Sequence, residues 1–211
     1  MNLISLTSTG VSKEFNRRSI FRDISFSLKG GESLAITGRN GSGKSTLVKI
    51  ICSLLSPTRG SIAYMVENQN IDVDAVKDYL GLVSPYLQMY DEFTGLENLE
   101  VLSRIRADRD VSREWIAETL MTVGLWERRN DFVRTYSSGM KQRLKYAFAM
   151  LHRPDVLVLD EPTANLDYEG IAMVEKCADR QRSTGVLIVA TNDHEEATWC
   201  AQRVVLGDHT L

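Results

Sequence analysis

The sequence has few cysteines and no excess of basic residues, and each of these absences excludes a class of protein. Its three cysteines, Cys52, Cys177 and Cys200, lack the C-x-x-C spacing of zinc sites. We therefore expect reduced thiols in a cytosolic protein rather than a zinc site or a disulfide framework. The net charge of −3 and the lack of a Lys/Arg run argue against nucleic acid as a partner.

Long apolar runs are also missing. No stretch approaches the roughly 18 apolar residues that a membrane-spanning helix needs, and the first residues lack the basic start and apolar core of a signal peptide. If the protein works at a membrane, we expect a partner to hold it there. With 211 residues, 43% hydrophobic and 25% charged, the chain suits one domain, or one core with an inserted subdomain.

What the sequence does contain is a phosphate-loop motif, G-x-x-x-x-G-K-[ST], at residues 38–46. An apolar run at 34–37 predicts a strand before it, and apolar residues at helical spacing follow it. Lys44 is predicted to reach the outer phosphates, Ser45 to bind Mg²⁺ and Thr46 to donate to an inner phosphate. The loop predicts a nucleoside triphosphate site made of Gly38, Arg39, Asn40, Gly41, Ser42, Gly43, Lys44, Ser45 and Thr46.

A pair of carboxylates forms the second signal. The continuous apolar run at 156–159 is typical of a parallel strand buried on both faces, and Asp160 and Glu161 follow it directly. Ligands of parallel sheets lie at the carboxyl ends of the strands, where the phosphate loop also emerges. We expect Asp160 to hold Mg²⁺ and Glu161 to orient or deprotonate an attacking water.

Hydrophobic periodicity and turn signals outline the rest of the chain. Residues 3–11 and 20–28 are predicted antiparallel strands around a turn at 16–18, and residues 61–66 and 80–83 are further strands. The pattern is helical from about 90 to 151, with a capping box at Thr94, an N-cap at Ser112 and a third helix near Gly139. Beyond the carboxylates we predict helices at 168–183 and 193–201 and strands at 186–190 and 203–206. Phe15 is placed in a loop, where its ring either stacks on a base or belongs to the core.

A third motif, Tyr136-Ser137-Ser138-Gly139-Met140, precedes a helix and offers a second anion site. Taken with the other motifs, it makes the chain resemble the ATP-binding subunits of ABC transporters over essentially its full length. The segment matches their signature motif, usually LSGGQ and here YSSGM, and Asn165-Leu166-Asp167 matches their D-loop. The resemblance implies that Ser138 and Gly139 contact the γ-phosphate held by a partner chain, and that Phe15 stacks on adenine.

The resemblance also implies a fold and a function. The fold is α/β, a P-loop NTPase with a RecA-like, mostly parallel core at 1–84 and 152–211. It carries an N-terminal antiparallel β subdomain and an inserted α-helical subdomain at 85–151, all within a single ATP-binding domain of residues 1–211. The function is Mg²⁺-dependent ATP hydrolysis by a head-to-tail homodimer at the cytoplasmic face of the cell membrane. A separate permease would anchor that dimer and contact residues 85–93.

Two positions depart from the family pattern. The family glutamine that follows the strand at 80–83 is replaced by Ser84 and Pro85, and Gln88 comes three residues late. Gln88 is the candidate for contacting Mg²⁺ and the attacking water. The family switch histidine is replaced by Asn192, with His194 two residues on. We expect Asn192 to donate to the γ-phosphate and His194 to be solvated.

The short chain and its signature look most like exporter-type ATPases, either those of ABC-2 type permeases or the haem-exporter-like ATPase of cytochrome c maturation. A soluble ABC ATPase is the alternative, although such proteins usually carry two cassettes or a coiled-coil insertion. A P-loop kinase or GTPase would leave the signature segment unexplained.

Overall fold

The computed structural model describes residues 4–105 and 111–207. Within them the chain forms nine strands: β1 (Ile4–Phe15), β2 (Arg18–Lys29), β3 (Ser33–Gly38), β4 (Arg59–Val66), β5 (Gln69–Asn70), β6 (Leu80–Val83), β7 (Val156–Asp160), β8 (Val186–Thr191) and β9 (Gln202–Leu206). The same residues form six α-helices: α1 (Lys44–Ile51), α2 (Gly95–Ile105), α3 (Arg113–Thr122), α4 (Ser138–Met150), α5 (Tyr168–Thr184) and α6 (His194–Ala197). None of these helices has both the length and the apolar composition needed to cross a membrane.

The larger sheet has five parallel strands in the order β6-β7-β8-β3-β9. Its central strands β7 and β8 are buried along their whole length. Alternate residues of β7 belong to two hydrophobic cores, one on each face of the sheet. Val156 and Val158 belong to the first core, with residues of α1 and of a smaller second sheet. Leu157 and Leu159 belong to the second core, with residues of α2, α3 and α4. Because both faces are covered, these strands are the continuous apolar runs seen in the sequence.

The smaller sheet is antiparallel, in the order β2-β1-β4-β5. The hairpin between β1 and β2 turns at Asn16 and Arg17, both with positive φ (49° and 63°), which is the geometry of tight two-residue hairpin turns. Both strands run further towards this turn than predicted, while Leu3, the predicted first residue of β1, lies outside the described residues. Phe15 was wrongly placed in a loop, because ladder pairing continues to the Phe15–Arg18 pair and makes Phe15 the last residue of β1.

The helical block shows the predicted caps. Thr94 and Glu97 form a reciprocal capping box ahead of α2, with N–H···O distances of 2.8 and 3.1 Å. Ser112 caps α3 by accepting from the Trp115 N–H at 3.2 Å. Helix α4 packs against the parallel sheet, and the second hydrophobic core contains residues of both. The subdomain boundaries at residues 85 and 151 stay a prediction.

The helix predicted at 193–201 is shorter than expected. Asp193 caps it by accepting from the N–H groups of Glu195 and Glu196, but α6 ends at Ala197 after a single turn. The chain then leaves the helix to enter β9, and the Ala201 N–H donates to the Ser33 hydroxyl at 3.0 Å. The need to reach the edge of the parallel sheet therefore overrides the local helical pattern.

Candidate active site

The phosphate loop connects the end of β3 to the start of α1, as the motif requires. Two of its glycines have positive φ and close neighbours. A Cβ on Gly43 (φ 101°) would lie 2.5 Å from Ile20 Cγ2, and one on Gly38 (φ 148°) would clash with the Leu206 carbonyl oxygen. The loop is thus wedged between the β1–β2 hairpin and β9, and side chains at these two positions would displace it.

Lys44 is buried at the first turn of α1 with 5% of its surface exposed. Its ammonium donates to the carbonyls of Gly38 at 2.9 Å and Arg39 at 3.3 Å, which holds the positive charge against the loop. The hydroxyl of Ser42 is buried and has no hydrogen-bond partner among the described residues. Together with the first N–H groups of α1, these donors fit an anionic ligand.

Asp160 ends β7 and is 1% exposed, yet neither carboxylate oxygen has a hydrogen-bond partner among the described residues. Burial raises the pKa of this carboxyl, and nearby Glu161 adds to the rise. The Ser45 hydroxyl lowers the pKa, because it lies close to the carboxyl although not in hydrogen-bond geometry. The positive charges of Lys44 and Lys49 lower it as well. A buried carboxylate without a partner is costly, and a divalent cation would relieve the cost.

This donor set fits Mg²⁺. The described residues contain no group of three or more His, Cys, Asp or Glu side chains that could cage a metal ion. Magnesium is commonly held by one or two protein oxygens together with substrate phosphates and water, and Asp160 and Ser45 supply such oxygens here.

Glu161 follows Asp160 with a positive φ of 52°. Its N–H donates to the Ala190 carbonyl at 2.9 Å, which fixes its backbone to the neighbouring strand β8. Non-glycine residues in the left-handed region are uncommon and cluster at functional sites, where the surrounding structure holds them. This backbone conformation supports a functional role for Glu161.

A hollow of about 1250 Å³ lies beside the phosphate loop, and both switch candidates line it. The Asn192 amide donates to Asn40 Oδ1 at 3.3 Å, which joins the end of β8 to the phosphate loop. His194, the first residue of α6, is exposed and faces the same hollow. Arg203 on β9 also lines it. Sequence reasoning missed Arg203, because nothing local marks a residue of an edge strand as part of a site.

The signature segment lies elsewhere. Ser137 caps α4 by accepting from the Met140 N–H at 3.2 Å, so Ser138 and Gly139 form the first turn of that helix. A Cβ on Gly139 would lie 3.1 Å from the Asn165 carbonyl oxygen of the D-loop segment. The guanidinium of Arg143 donates to Asp167 Oδ1 at 2.6 Å, so the signature helix and this segment are tied together.

Gln88 lines a second hollow, of about 360 Å³, with Ser138 and Asn165. The proposed contact of Gln88 with Mg²⁺ and water stays a prediction. The Ser84–Pro85 backbone is held by Lys145 of α4, whose ammonium donates to the Ser84 carbonyl at 3.2 Å.

Phe15 is 45% exposed, so it is not a core side chain. The Lys13 ammonium lies 4.9 Å from its ring centroid. Of the two alternatives left open by the sequence, the exposed ring agrees with the binding one, and stacking on adenine stays a prediction.

Comparison with known proteins identifies the family. The profile of the family described as "ABC transporter" matches residues 21–164, which is more than half of the chain. The chain belongs to the ABC transporter family. It is an ATP-binding domain with ATPase activity, and the resemblance inferred from its motifs is confirmed.

Relatives and solved structures agree with this assignment. The chain is 33% identical over 189 residues to an uncharacterized ABC transporter ATP-binding protein, YybJ, of Bacillus subtilis, covering 88% of this chain and 84% of the relative. It is 30% identical to the linearmycin resistance ATP-binding protein LnrL of the same organism, covering 96% of this chain but only 66% of the relative. A dimeric post-hydrolysis structure of the ATP-binding cassette MJ0796, bound to ADP and Pi, superposes with a TM-score of 0.83 at 24% identity, covering 96% and 94% of the two chains. That likeness confirms the predicted α/β P-loop fold of this ABC domain.

Proposed function

We propose that this ABC ATPase hydrolyses Mg²⁺-ATP as a head-to-tail homodimer and drives a separate export permease at the cytoplasmic face of the membrane. Two observations support the dimer. The phosphate loop and the signature segment line separate hollows of this chain. The ABC cassette MJ0796, whose fold this chain shares, has been solved as a dimer. In a head-to-tail dimer, the signature segment of a second copy completes the nucleotide site at the phosphate loop.

The side chains divide the work within each site. Lys44 and the loop N–H groups hold the phosphates, and Asp160 with Ser45 would hold Mg²⁺, which supplies charge neutralisation at the phosphate oxygens. Glu161 accepts a proton from the attacking water, and Asn192 donates to the outer phosphate. From the partner chain, Ser138 and Gly139 add donors at the start of α4. Hydrolysis removes the group that bridges the two chains, so the dimer opens.

Export is supported by the LnrL relative, whose name records resistance to linearmycin. The permease would contact residues 85–93, where the aromatic side chains of Tyr86 and Tyr90 are 65% and 49% exposed. In membranes of its own host, the chain is expected to co-purify in detergent with a multi-span protein. A chain recovered only from the aqueous fraction would favour the alternative, a soluble ABC ATPase.

Mixing two inactive variants tests the head-to-tail site. Ser138→Asp is tolerated by the fold, because an acidic residue suits the first turn of a helix, but its charge would repel a triphosphate held by the partner. Lys44→Ala removes the phosphate contact and leaves the signature intact. At ATP concentrations that do not saturate Lys44→Ala, each variant alone is expected to be inactive. Their mixture is expected to regain steady-state phosphate release, because one composite site of the heterodimer pairs an intact loop with an intact signature.

The control for this experiment is Ser183→Asp at the exposed end of α5, which adds the same charge away from both hollows and should leave activity unchanged. If the mixture of the two variants stays inactive, or if Ser138→Asp alone is fully active, the site is not shared between chains.

The switch position gives another prediction. Asn192→Ala is expected to lower hydrolysis by about fivefold, since a neutral hydrogen bond contributes about 1 kcal/mol. Asn192→His should leave the rate equal or raise it, because a charged donor to phosphate is stronger. His194→Ala should change little, because the His194 side chain is exposed to solvent. It is nevertheless the alternative candidate for the switch role, since it lines the same hollow. Steady-state phosphate release from the three variants decides between them, and a crippled His194→Ala would assign the switch role to His194.

A further inference from the structure

Glu196 is a buried carboxylate in a helix whose other acidic residue is not buried. It is 6% exposed, whereas its neighbour Glu195 is exposed. Burying a carboxylate is costly unless hydrogen bonds satisfy it. The donors that hydrogen-bond to Glu196 therefore show which segments of the chain it connects.

Those bonds come from two separate segments, the turn after β7 and the end of β8. Glu196 Oε1 accepts from the Thr163 N–H at 3.2 Å and from the Thr163 hydroxyl. Glu196 Oε2 accepts from the Thr191 hydroxyl, and that hydroxyl in turn accepts from the Asp193 N–H at 2.9 Å. Thr163 lies two residues after Glu161, and Thr191 and Asp193 flank Asn192. One carboxylate thus bridges the segment that carries the water-activating group and the segment that carries the phosphate donor.

We propose that Glu196 is a positioning residue for ATP hydrolysis, which holds Glu161 and Asn192 in a fixed relation across the reacting phosphate. This inference rests on the roles proposed above for those two residues. Glu161 has a left-handed backbone, and such a conformation persists only where neighbouring contacts hold it. Asn192 is exposed, and besides the bond from its amide to Asn40 its placement depends on the anchored residues on either side. Hydrogen bonds to a carboxylate are stronger than those between neutral groups, which suits this task.

The geometry explains why the residue must be an acid rather than an amide. Thr163 presents an N–H, which can only donate, so a glutamine at 196 would keep its oxygen on Thr163 and turn its NH₂ towards Thr191. The amide would donate to the Thr191 oxygen, while the proton of that hydroxyl, buried at 1% exposure, would lose its acceptor. Glu196→Gln therefore replaces the charge-assisted bond to Thr191 by a weaker neutral one, preserves the Thr163 half of the bridge and changes the side-chain volume very little.

The test compares two matched variants of the full chain. Glu196→Gln is expected to lower kcat for ATP by about 10- to 100-fold, the range expected when catalytic groups are slightly misplaced. Its KM for ATP, its affinity for a fluorescent ATP analogue and its Tm should stay near those of the unmodified chain. Glu195→Gln removes the same charge one residue away, from an exposed side chain, and should leave kcat unchanged.

A double-mutant cycle gives a readout that a purely structural role would not produce. Thr191→Val cuts the same link from its other end, so Glu196→Gln and Thr191→Val together should lower kcat no further than the stronger single change. Thr191→Ser keeps the hydroxyl and should retain most of the activity. Asn192→Ala should also cost less in the Glu196→Gln background, because Asn192 is already misplaced there.

The outcomes separate this inference from the function on which it rests. If Glu161→Gln is inactive but Glu196→Gln turns over like the unmodified chain, the positioning role is overturned and the proposed function stands. A loss of kcat matched by an equal loss of folded protein or of ATP affinity would also overturn it. If Glu161→Gln itself hydrolyses ATP normally, the assignment of Glu161 fails first.

Discussion

Replacing Glu161 by glutamine is expected to abolish turnover while leaving ATP binding intact. The change removes the carboxylate that accepts a proton from water, and loss of a general base typically lowers a rate about 10²- to 10⁴-fold. The fold should not suffer, because Glu161 is tied to β8 through its backbone N–H rather than through its side chain. Since the phosphate loop and the signature segment are untouched, ATP should accumulate between two chains as a stable dimer.

Steady-state phosphate release measures the first effect, and size exclusion with Mg²⁺-ATP measures the second. Glu175→Gln, on the exposed face of α5, is the matched control and should behave like the unmodified chain. A Glu161→Gln chain that stays monomeric and turns over at a near-normal rate would contradict both the catalytic role and the ATP-bridged dimer.

Lys44→Ala is expected to weaken ATP binding by about 10- to 100-fold. Each hydrogen bond to a charged group contributes about 1.5–3 kcal/mol, and about 1.4 kcal/mol corresponds to a tenfold change in the dissociation constant. The buried ammonium already lies against the loop carbonyls of Gly38 and Arg39, so it is placed for a phosphate at little entropic cost. Equilibrium titration with a fluorescent ATP analogue measures the change.

Lys49→Ala provides the control, because Lys49 lies on the same helix and also lowers the pKa of Asp160. If the loss of affinity comes from the specific contact of Lys44, Lys49→Ala should bind ATP nearly normally. Equal losses in the two variants would show that only the general positive charge near Asp160 matters. Unchanged affinity in Lys44→Ala would remove the phosphate-loop assignment altogether.

Much of the fold could be predicted because its signals are local. The strand, loop and first helix around residues 38–46 are marked by periodicity and by glycines that the turn requires. The buried strand β7 is marked by its continuous apolar run, and α2 by the capping box at Thr94, whose two hydrogen bonds form as expected. These features depend on residues within one turn or one strand of each other, so the sequence alone determined them.

The arrangement of the site was decided by tertiary structure. The order of the parallel strands brings Asn192 to Asn40, 152 residues away in sequence. The same arrangement places Gln88 beside Ser138 of the signature segment, which its position in the sequence could not reveal.

The two glutamates of α6 show the difference most directly. Glu195 and Glu196 are chemically identical neighbours, yet one is solvated and the other bridges the turn after β7 and the end of β8. Sequence by itself determined that this chain carries a phosphate loop, a carboxylate pair and a signature segment, because each motif consists of consecutive residues. Only the tertiary structure decided which side chains meet at the phosphate loop. Strand order and the orientation of the one-turn helix α6 determine those contacts, and long-range packing sets both.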